Sequence, residues 1–584
     1  MVTHHMNQFV TCAILILISN SVLGAGAFET GSNASGSTTC ERSILLDKGY
    51  LLLPVKNGDV QSPKRHVEVV VEGKVVREFD IELTEQPDWF AHLDVSAWKG
   101  KQAMLRAANS AGHFKMLDLV STSDAIWRAD QLYRETLRGQ LHFSARRGRL
   151  NDPNGLVFYR GEYHLFYQHN PYGCVGGNQH WGHAVSADLV HWKELGEALY
   201  PDDTGMMYSG SGVVDWKNTS GLGESGPPLV LLYTACGQLL KKPWVQGLAY
   251  SLDGRNFTKY RENPVVKQIA SGNRDPKVFW HEPTGKWVMC LYGHYPSTEL
   301  DGQGKPKQKD AIYFLCSPNL KDWTLMSQFE GLFECPDIFQ LPVDGDPKNK
   351  KWVLTVATGD YLVGGFDGRQ FIPETAILKG QQVKGLYASQ TFSNEPHGRV
   401  VQIGWLRTET PGMPFNQSMG LPCELRLSST TDGPRLTHIP VRELESLRVT
   451  SKDFGPVTLQ PDSANPLADF KAELVELRAE FEPDDVAVCT FIVRGVKIIY
   501  DAKSRELSVN TIRVRAPLCD GRQQLVIYCD RTALEIFASG GLVYIPMPFM
   551  VKADNQALEV RVTGGSAKFT TLQACELKSI WDQR

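Results

Sequence analysis

Two phrases that recur between His142 and about Ser429 constrain the fold of this chain more than anything else in it. One is a turn followed by an aromatic-rich apolar run. It reads Arg160-Gly161-Glu162-Tyr163-His164-Leu165-Phe166-Tyr167, then Thr284-Gly285-Lys286-Trp287-Val288-Met289-Cys290-Leu291-Tyr292, then Lys350-Lys351-Trp352-Val353-Leu354-Thr355. The other is a serine with an aromatic residue six positions on: Ser186 with Trp192, Ser251 with Phe257, Ser317 with Trp323. A repeated unit of this size cannot bury its apolar face alone and stacks on its copies. Antiparallel units with an aromatic signature in each predict a β-propeller. The alternative is a β-sandwich with chance similarity between strands.

The flanks are also strand-rich. From Leu45 to about Val120, short alternating runs separated by turns such as Asn57-Gly58-Asp59 predict a small β-sandwich, an accessory domain over 40–122. Residues 121–137 carry helical spacing after a Ser/Asp start and predict a short connecting helix. The propeller is expected over 138–435. Residues 438–455 are charged and unpatterned and read as a linker, and alternating strands beyond them predict a C-terminal β-sandwich over 450–584. The expected class is all-β.

Charge and targeting narrow the function. A net charge of -4 over 584 residues, with no Lys/Arg stripe, leaves no electrostatic footprint for nucleic acid. An aromatic content of 10% suits neutral sugars, whose C–H faces pack on rings. Residues 9–23 are apolar and are followed by Ala25-Gly26-Ala27, so 1–27 reads as a signal peptide, with a retained anchor as the alternative. The stretch is too short for a confident membrane span. A secreted, extracellular or periplasmic protein is expected, with no membrane span once the signal is cleaved. The twelve Cys show no CxxC and no zinc spacing, and most read as small buried hydrophobes.

Three acids sit in constrained local sequence: Asp152 in Asn151-Asp152-Pro153-Asn154-Gly155, Asp275 in Arg274-Asp275-Pro276, and Glu334 in Glu334-Cys335-Pro336-Asp337. The nearby prolines bias the backbone before them to an extended form. A glycosidase needs one carboxylate at the anomeric carbon and a second group to protonate the leaving oxygen and then activate water. A third negative charge stabilises the cationic transition state. Candidates to hold a sugar are Asn151, Gln168, Trp181, Ser209, Arg274 and Asp337.

These motifs, with Phe166-Tyr167-Gln168-His169-Asn170-Pro171, Trp181-Gly182-His183-Ala184, Ser209-Gly210-Ser211 and Gly365-Phe366-Asp367-Gly368, resemble glycoside hydrolase family 32 in kind and order. That family holds invertases, inulinases, levanases and fructan exohydrolases. The resemblance implies a five-bladed propeller and a retaining mechanism. By it, Asp152 corresponds to the nucleophile, Glu334 to the acid/base and Asp275 to the transition-state stabiliser. Asn151, Gln168, Trp181, Ser209 and Arg274 correspond to fructosyl-subsite positions. It implies no metal or organic cofactor. The family usually carries Trp where this chain has Arg149, which bears on the leaving-group subsite. The additional N-terminal strands resemble bacterial levanase-like members. The expected enzyme is a monomeric exo-acting β-fructosidase on levan or inulin, and on sucrose as a side activity. The alternatives are an endo-levanase or dedicated invertase, an inverting arabinan or xylan hydrolase, and a non-catalytic sugar-binding protein.

Overall fold

The computed structural model describes residues 39–108, 115–237 and 243–582, so the expected signal segment lies outside the described residues. Strands run from Thr39 to Leu577, and the α-helix among the described residues is the single turn Lys115–Asp118. No described helix is long and apolar enough to cross a membrane.

Between Gly148 and Pro440 the chain forms five successive sheets, antiparallel apart from one short closing strand. Their first strands are Gly148–Tyr159, Met206–Val214, Ser271–His281, Asp337–Pro342 and Leu386–Thr391. Met206–Val214 packs between Gly148–Tyr159 and Ser271–His281, and Leu386–Thr391 between Gly148–Tyr159 and Asp337–Pro342. Bonds cross between sheets at this centre: Gln390 Nε2 donates to Gly210 O at 3.1 Å and Lys277 Nζ to Thr391 O at 2.9 Å. The last sheet returns to the first. Ser393 N–H donates to Leu156 O, and Phe158 N–H to Ser393 O, each at 2.9 Å. Phe415 and Asn416 pair in parallel with Gly148 and Arg149. This closure pairs an inner edge that would otherwise invite association.

The recurring phrases take equivalent places. The aromatic run is the second strand of the first, third and fourth sheets: Glu162–Asn170, Lys286–Leu300 and Lys350–Thr355. The serine ends the third strand of the first three sheets, and its Oγ bonds Asp188 at 3.0 Å, Asp253 at 2.8 Å and Asn319 at 3.2 Å. Each of those side chains then accepts backbone N–H groups just ahead, forming an Asx turn. Trp192, Phe257 and Trp323 then fold back onto the apolar clusters.

N-terminal to this body, a four-stranded sheet (Thr39–Leu45, Gln102–Ala108, Arg65–Val71, Lys74–Ile81) and a three-stranded one (Trp89–Asp94, Tyr50–Val55, Ser121–Ser123) share a core containing Leu51, Val69, Trp89 and Leu105. C-terminal to it, a seven-stranded and a five-stranded sheet share a core containing Phe481, Phe491, Ile498, Ile527 and Phe569. Two expectations fail here. Residues 121–137 form a strand, turns and the 3-10 turn Ala129–Gln131 rather than a helix. Glu135 is gripped by Arg138 Nε at 3.0 Å and Arg147 Nη1 at 2.7 Å, and Arg128 and Tyr133 take positive φ, so tertiary ion pairs override the helical pattern. Residues 438–455 are ordered too: Leu444 and Leu447 are buried, and Arg448–Asp453 joins the C-terminal sheet. Buried thiols such as Cys290 and Cys489 pack in the apolar clusters as expected.

His142 bolts the C-terminal sheets to the central body. Its Nδ1 lies 2.7 Å from Asp530 Oδ2 and its Nε2 3.1 Å from Glu535 Oε1, all fully buried. Asp530 also accepts Gln140 and Leu141 N–H, and Glu535 accepts Leu421 N–H and the Tyr544 hydroxyl. Burial disfavours the imidazolium, but the two carboxylates outweigh it and raise the His142 pKa to about 9. A raised histidine pKa contributes stability that is complete below its unfolded value near 6.5 and is lost as pH rises through about 9. Breaking a buried pair costs about 3–5 kcal/mol. His142→Gln is therefore expected to lower the thermal midpoint markedly at pH 6.5, by a gap that narrows as pH passes 9. Melting curves across that range check it, and a constant gap counts against it.

Candidate active site

Three of the five inner strands break their pairing at a site residue, and a fourth breaks just after Tyr387. Asn151 and Asp152 fall in the irregularity between Leu150 and Pro153, and Ser209 between Tyr208 and Gly210. Asp275 falls between Arg274 and Lys277, and Ala388 and Ser389 between Tyr387 and Gln390. A bulge leaves a residue out of the ladder and re-aims its side chain. The backbone is not extended before every proline, as was expected. Asp275 has φ +62° and Cys335 has φ +48°. Such left-handed residues cost about 1–3 kcal/mol each and persist only where the surroundings hold them. Here Asp275 N–H donates to Thr234 Oγ1 at 2.9 Å, a partner on the neighbouring sheet. Gly155 has φ +55°, and a Cβ there would lie 2.7 Å from the Phe166 ring, which explains the glycine of the first motif.

The half-buried carboxyl of Asp152 accepts the Ser209 hydroxyl at 2.6 Å, Asn151 Nδ2 at 3.3 Å and Gln168 Nε2 at 3.4 Å. Asn151 Nδ2 also donates to Gln168 Oε1 at 2.8 Å, and Gln168 Nε2 to Ser209 Oγ. Burial raises the Asp152 pKa, the Ser209 bond pulls it down and Glu334 pushes it up. Asp275 Oδ2 accepts Cys335 N–H at 3.3 Å and faces Cys335 Sγ at 3.4 Å and Arg274 Nε at 3.6 Å. Its pKa is raised, chiefly by burial. Arg274 opposes that rise, while the charges of Glu334 and Asp152 add to it. Arg274 reaches Glu334 Oε2 from Nε at 3.0 Å and Nη2 at 2.6 Å. The other oxygen of Glu334 accepts the Tyr387 hydroxyl. Three carboxyls, two on inner strands and Glu334 in the bend before the fourth sheet, thus share one electrostatic environment, with one arginine between two of them.

Asn151, Gln168, Ser209 and Arg274 are brought together around these acids. Trp181 and Asp337 are not. Trp181 is 0% exposed, donates Nε1 to Tyr208 O at 2.9 Å and packs among Phe166 and Tyr233, so neither ring face is open to a sugar. It holds the backbone next to Ser209 instead. Asp337 is 0% exposed, lies 3.0 Å from Lys277 Nζ and accepts Thr391 N–H at 2.5 Å, tying three inner strands together. Sequence reasoning missed the rings that line the opening. Tyr387 touches Glu334, and Arg407 lies 4.2 Å from the Tyr387 ring and 5.0 Å from that of Trp405. Arg149 lies over the Trp405 ring, 5.2 Å from its centroid, and donates to Asn151 Oδ1 at 3.3 Å. Only the Tyr-x-x-Gln and Trp-x-Arg spacing signalled these residues, and neither includes an acid. Among the described residues, the group spaced to hold a metal ion is His66, Glu68 and Glu78, on N-terminal strands and sharing nothing with this site.

Residues 142–440 match the family model described as the glycosyl hydrolases family 32 N-terminal domain. A levanase of Bacillus subtilis is 38% identical over 503 residues, covering 77% of this chain and 72% of its own. An extracellular exo-inulinase of Aspergillus ficuum is 31% identical over 532 residues, covering 77% of this chain and 96% of its own. The crystal structure of exo-inulinase from Aspergillus awamori superposes with a TM-score of 0.66 at 28% identity, covering 77% of this chain and all of that one. The family match begins at His142, the residue that bolts the body together, and ends where the fifth sheet ends. It encloses all three converging acids, and on these grounds the chain belongs to glycoside hydrolase family 32.

Proposed function

We propose that this glycoside hydrolase is a retaining β-fructofuranosidase that releases terminal fructosyl units from fructans, and from sucrose as a side activity. The observation that carries the reading is the convergence of Asp152, Asp275 and Glu334 with the donor shell of Asn151, Gln168, Ser209 and Arg274. The levanase and exo-inulinase similarities favour a fructan over other glycans. In this reading Asp152 attacks the anomeric carbon, held by Ser209 and Asn151. Asp275 faces the ring hydroxyls and the developing positive charge. Glu334 protonates the leaving oxygen and then activates water. Both arginine donors occupy Oε2, so the transferable proton belongs on Oε1, the oxygen that Tyr387 touches.

The same proposal reads the five sheets as five blades of a propeller over 138–435, flanked by β-sandwiches at 40–122 and 450–584. The protein is a monomer, secreted after loss of 1–27, and needs no cofactor. An endo-levanase or dedicated invertase is the second reading. Product analysis on levan, inulin and sucrose separates them: exo action on a fructan releases free fructose without intermediate oligosaccharides, an endo-levanase accumulates oligosaccharides, and a dedicated invertase prefers sucrose to either polymer.

Asp152→Ala and Glu334→Ala are expected to cut turnover by several orders of magnitude with unchanged melting curves. Near-normal fructose release by either purified variant sinks the assignment. Ser209→Ala removes a bond to the ionised form of Asp152, so that carboxyl's pKa rises further and the acid limb of kcat/KM moves to higher pH. A limb that stays or moves down contradicts this. Arg149→Trp is expected to change the relative rates on sucrose, inulin and levan more than inhibition by fructose, because Arg149 lies over Trp405 at the rim and reaches Asp152 through Asn151. Unchanged relative rates argue against a leaving-group position.

A further inference from the structure

The N-terminal sheets are not tethered at a distance from the body; they grip a loop that runs beside Arg149. Three contacts carry this. Asp80 N–H donates to Asn178 Oδ1 at 2.8 Å, and Asn178 Nδ2 returns a bond to Asp80 O at 2.7 Å. The Phe79 ring stacks on Tyr172 with centroids 4.1 Å apart, and Tyr172 is counted in the N-terminal core itself. Lys64 Nζ donates to Gly176 O at 3.2 Å. All three grip residues 172–178, the loop that leads from the strand bearing Gln168 to the strand bearing Trp181.

That loop abuts the expected leaving-group side. Gly176 and Gly177 bear no side chain, and a Cβ on Gly176 would lie 3.8 Å from Arg149 Nη1. Arg149 in turn donates to Asn151, which donates to the Asp152 carboxyl. Lys64 and Arg149 therefore flank the same bare Gly176 backbone, Lys64 bonded to its carbonyl and Arg149 bonded to the nucleophile's neighbour Asn151. The ammonium of Lys64 has three N–H donors. It is half-buried at the loop's edge, where further donors can meet hydroxyls of a sugar beyond the scissile bond.

We propose that Lys64 is a specificity-determining residue of the leaving-group subsite, binding the hydroxyl groups of a fructan chain next to the unit being released. The N-terminal lobe then selects substrate length at the mouth rather than acting as a separate polymer anchor. The proposal rests on the fructosidase reading above and deepens it. Its test is steady-state kinetics of the full chain and of Lys64→Ala and Lys64→Arg, on sucrose and on a fructan of several units.

Loss of one such bond is worth about a twofold to tenfold change. The expected result is that the ratio of kcat/KM for fructan over sucrose falls by about fivefold in Lys64→Ala, through KM. Lys64→Arg restores most of it, and the melting temperatures match. A ratio within twofold of the unaltered chain's overturns the proposal, as does a fall that Lys64→Arg does not reverse. Failure of the unaltered chain to release fructose from any of these substrates would instead sink the fructosidase reading, which keeps the two outcomes distinct.

Discussion

The site depends on a defect that the fold repeats: the broken pairing in the inner strands of a closed ring of sheets. A regular strand points alternate residues to opposite faces and would bury every second side chain against the next sheet. At Asn151-Asp152, Ser209, Asp275 and Ala388-Ser389 the ladder slips instead. In the first three places the slip leaves the side chains free to meet around the acids. It costs backbone strain at Asp275 and Ala388, both with positive φ. The ring sustains that strain because the inner strands support one another, and because the Ser393 and Phe415 contacts close it against the first strand.

Buried charge does the bracing. Under the site, Lys277, Asp337 and Thr391 join the third, fourth and fifth sheets. At the lower rim, His142, Asp530 and Glu535 join the body to the C-terminal sheets. Such groups are tolerated in low dielectric only when paired and hydrogen-bonded. The consequence is rigidity at the places where three carboxyls must be held against their mutual repulsion. Arg274 plays the same part within the site, shared between Asp275 and Glu334.

The flanking sheets are part of this arrangement. Phe143, Tyr167 and Leu386 of the body share one apolar cluster with Phe537, Tyr544 and Leu577 of the C-terminal sheets. On the other side Tyr172 is a core residue of the N-terminal sheets although it lies in the loop after Gln168. That loop is tied to the N-terminal sheets and also to the body, where Asn416 Nδ2 donates to Cys174 O at 3.3 Å. The mouth itself is lined by the Arg149, Trp405 and Arg407 cluster, a different surface from one bearing a tryptophan at position 149.

The sequence alone determined the class of fold, the repetition within it and the three acids that the structure brings together. These features are local: alternation, turn chemistry and aromatic spacing follow from neighbours along the chain, and the acid motifs are short and ordered. It also led Trp181 and Asp337 to be expected at the sugar, and 121–137 to be expected as a helix. Tertiary structure decided otherwise. Whether Trp181 meets a ligand or the Phe166 and Tyr233 rings, and whether Asp337 faces solvent or Lys277, depends on which sheet lies alongside. The pairing slips at the inner strands and the partnership of Tyr387 with Glu334 likewise join segments far apart in sequence. Only the closed ring brings them within reach, because burial and ion pairing act through space and leave no periodic trace along the chain.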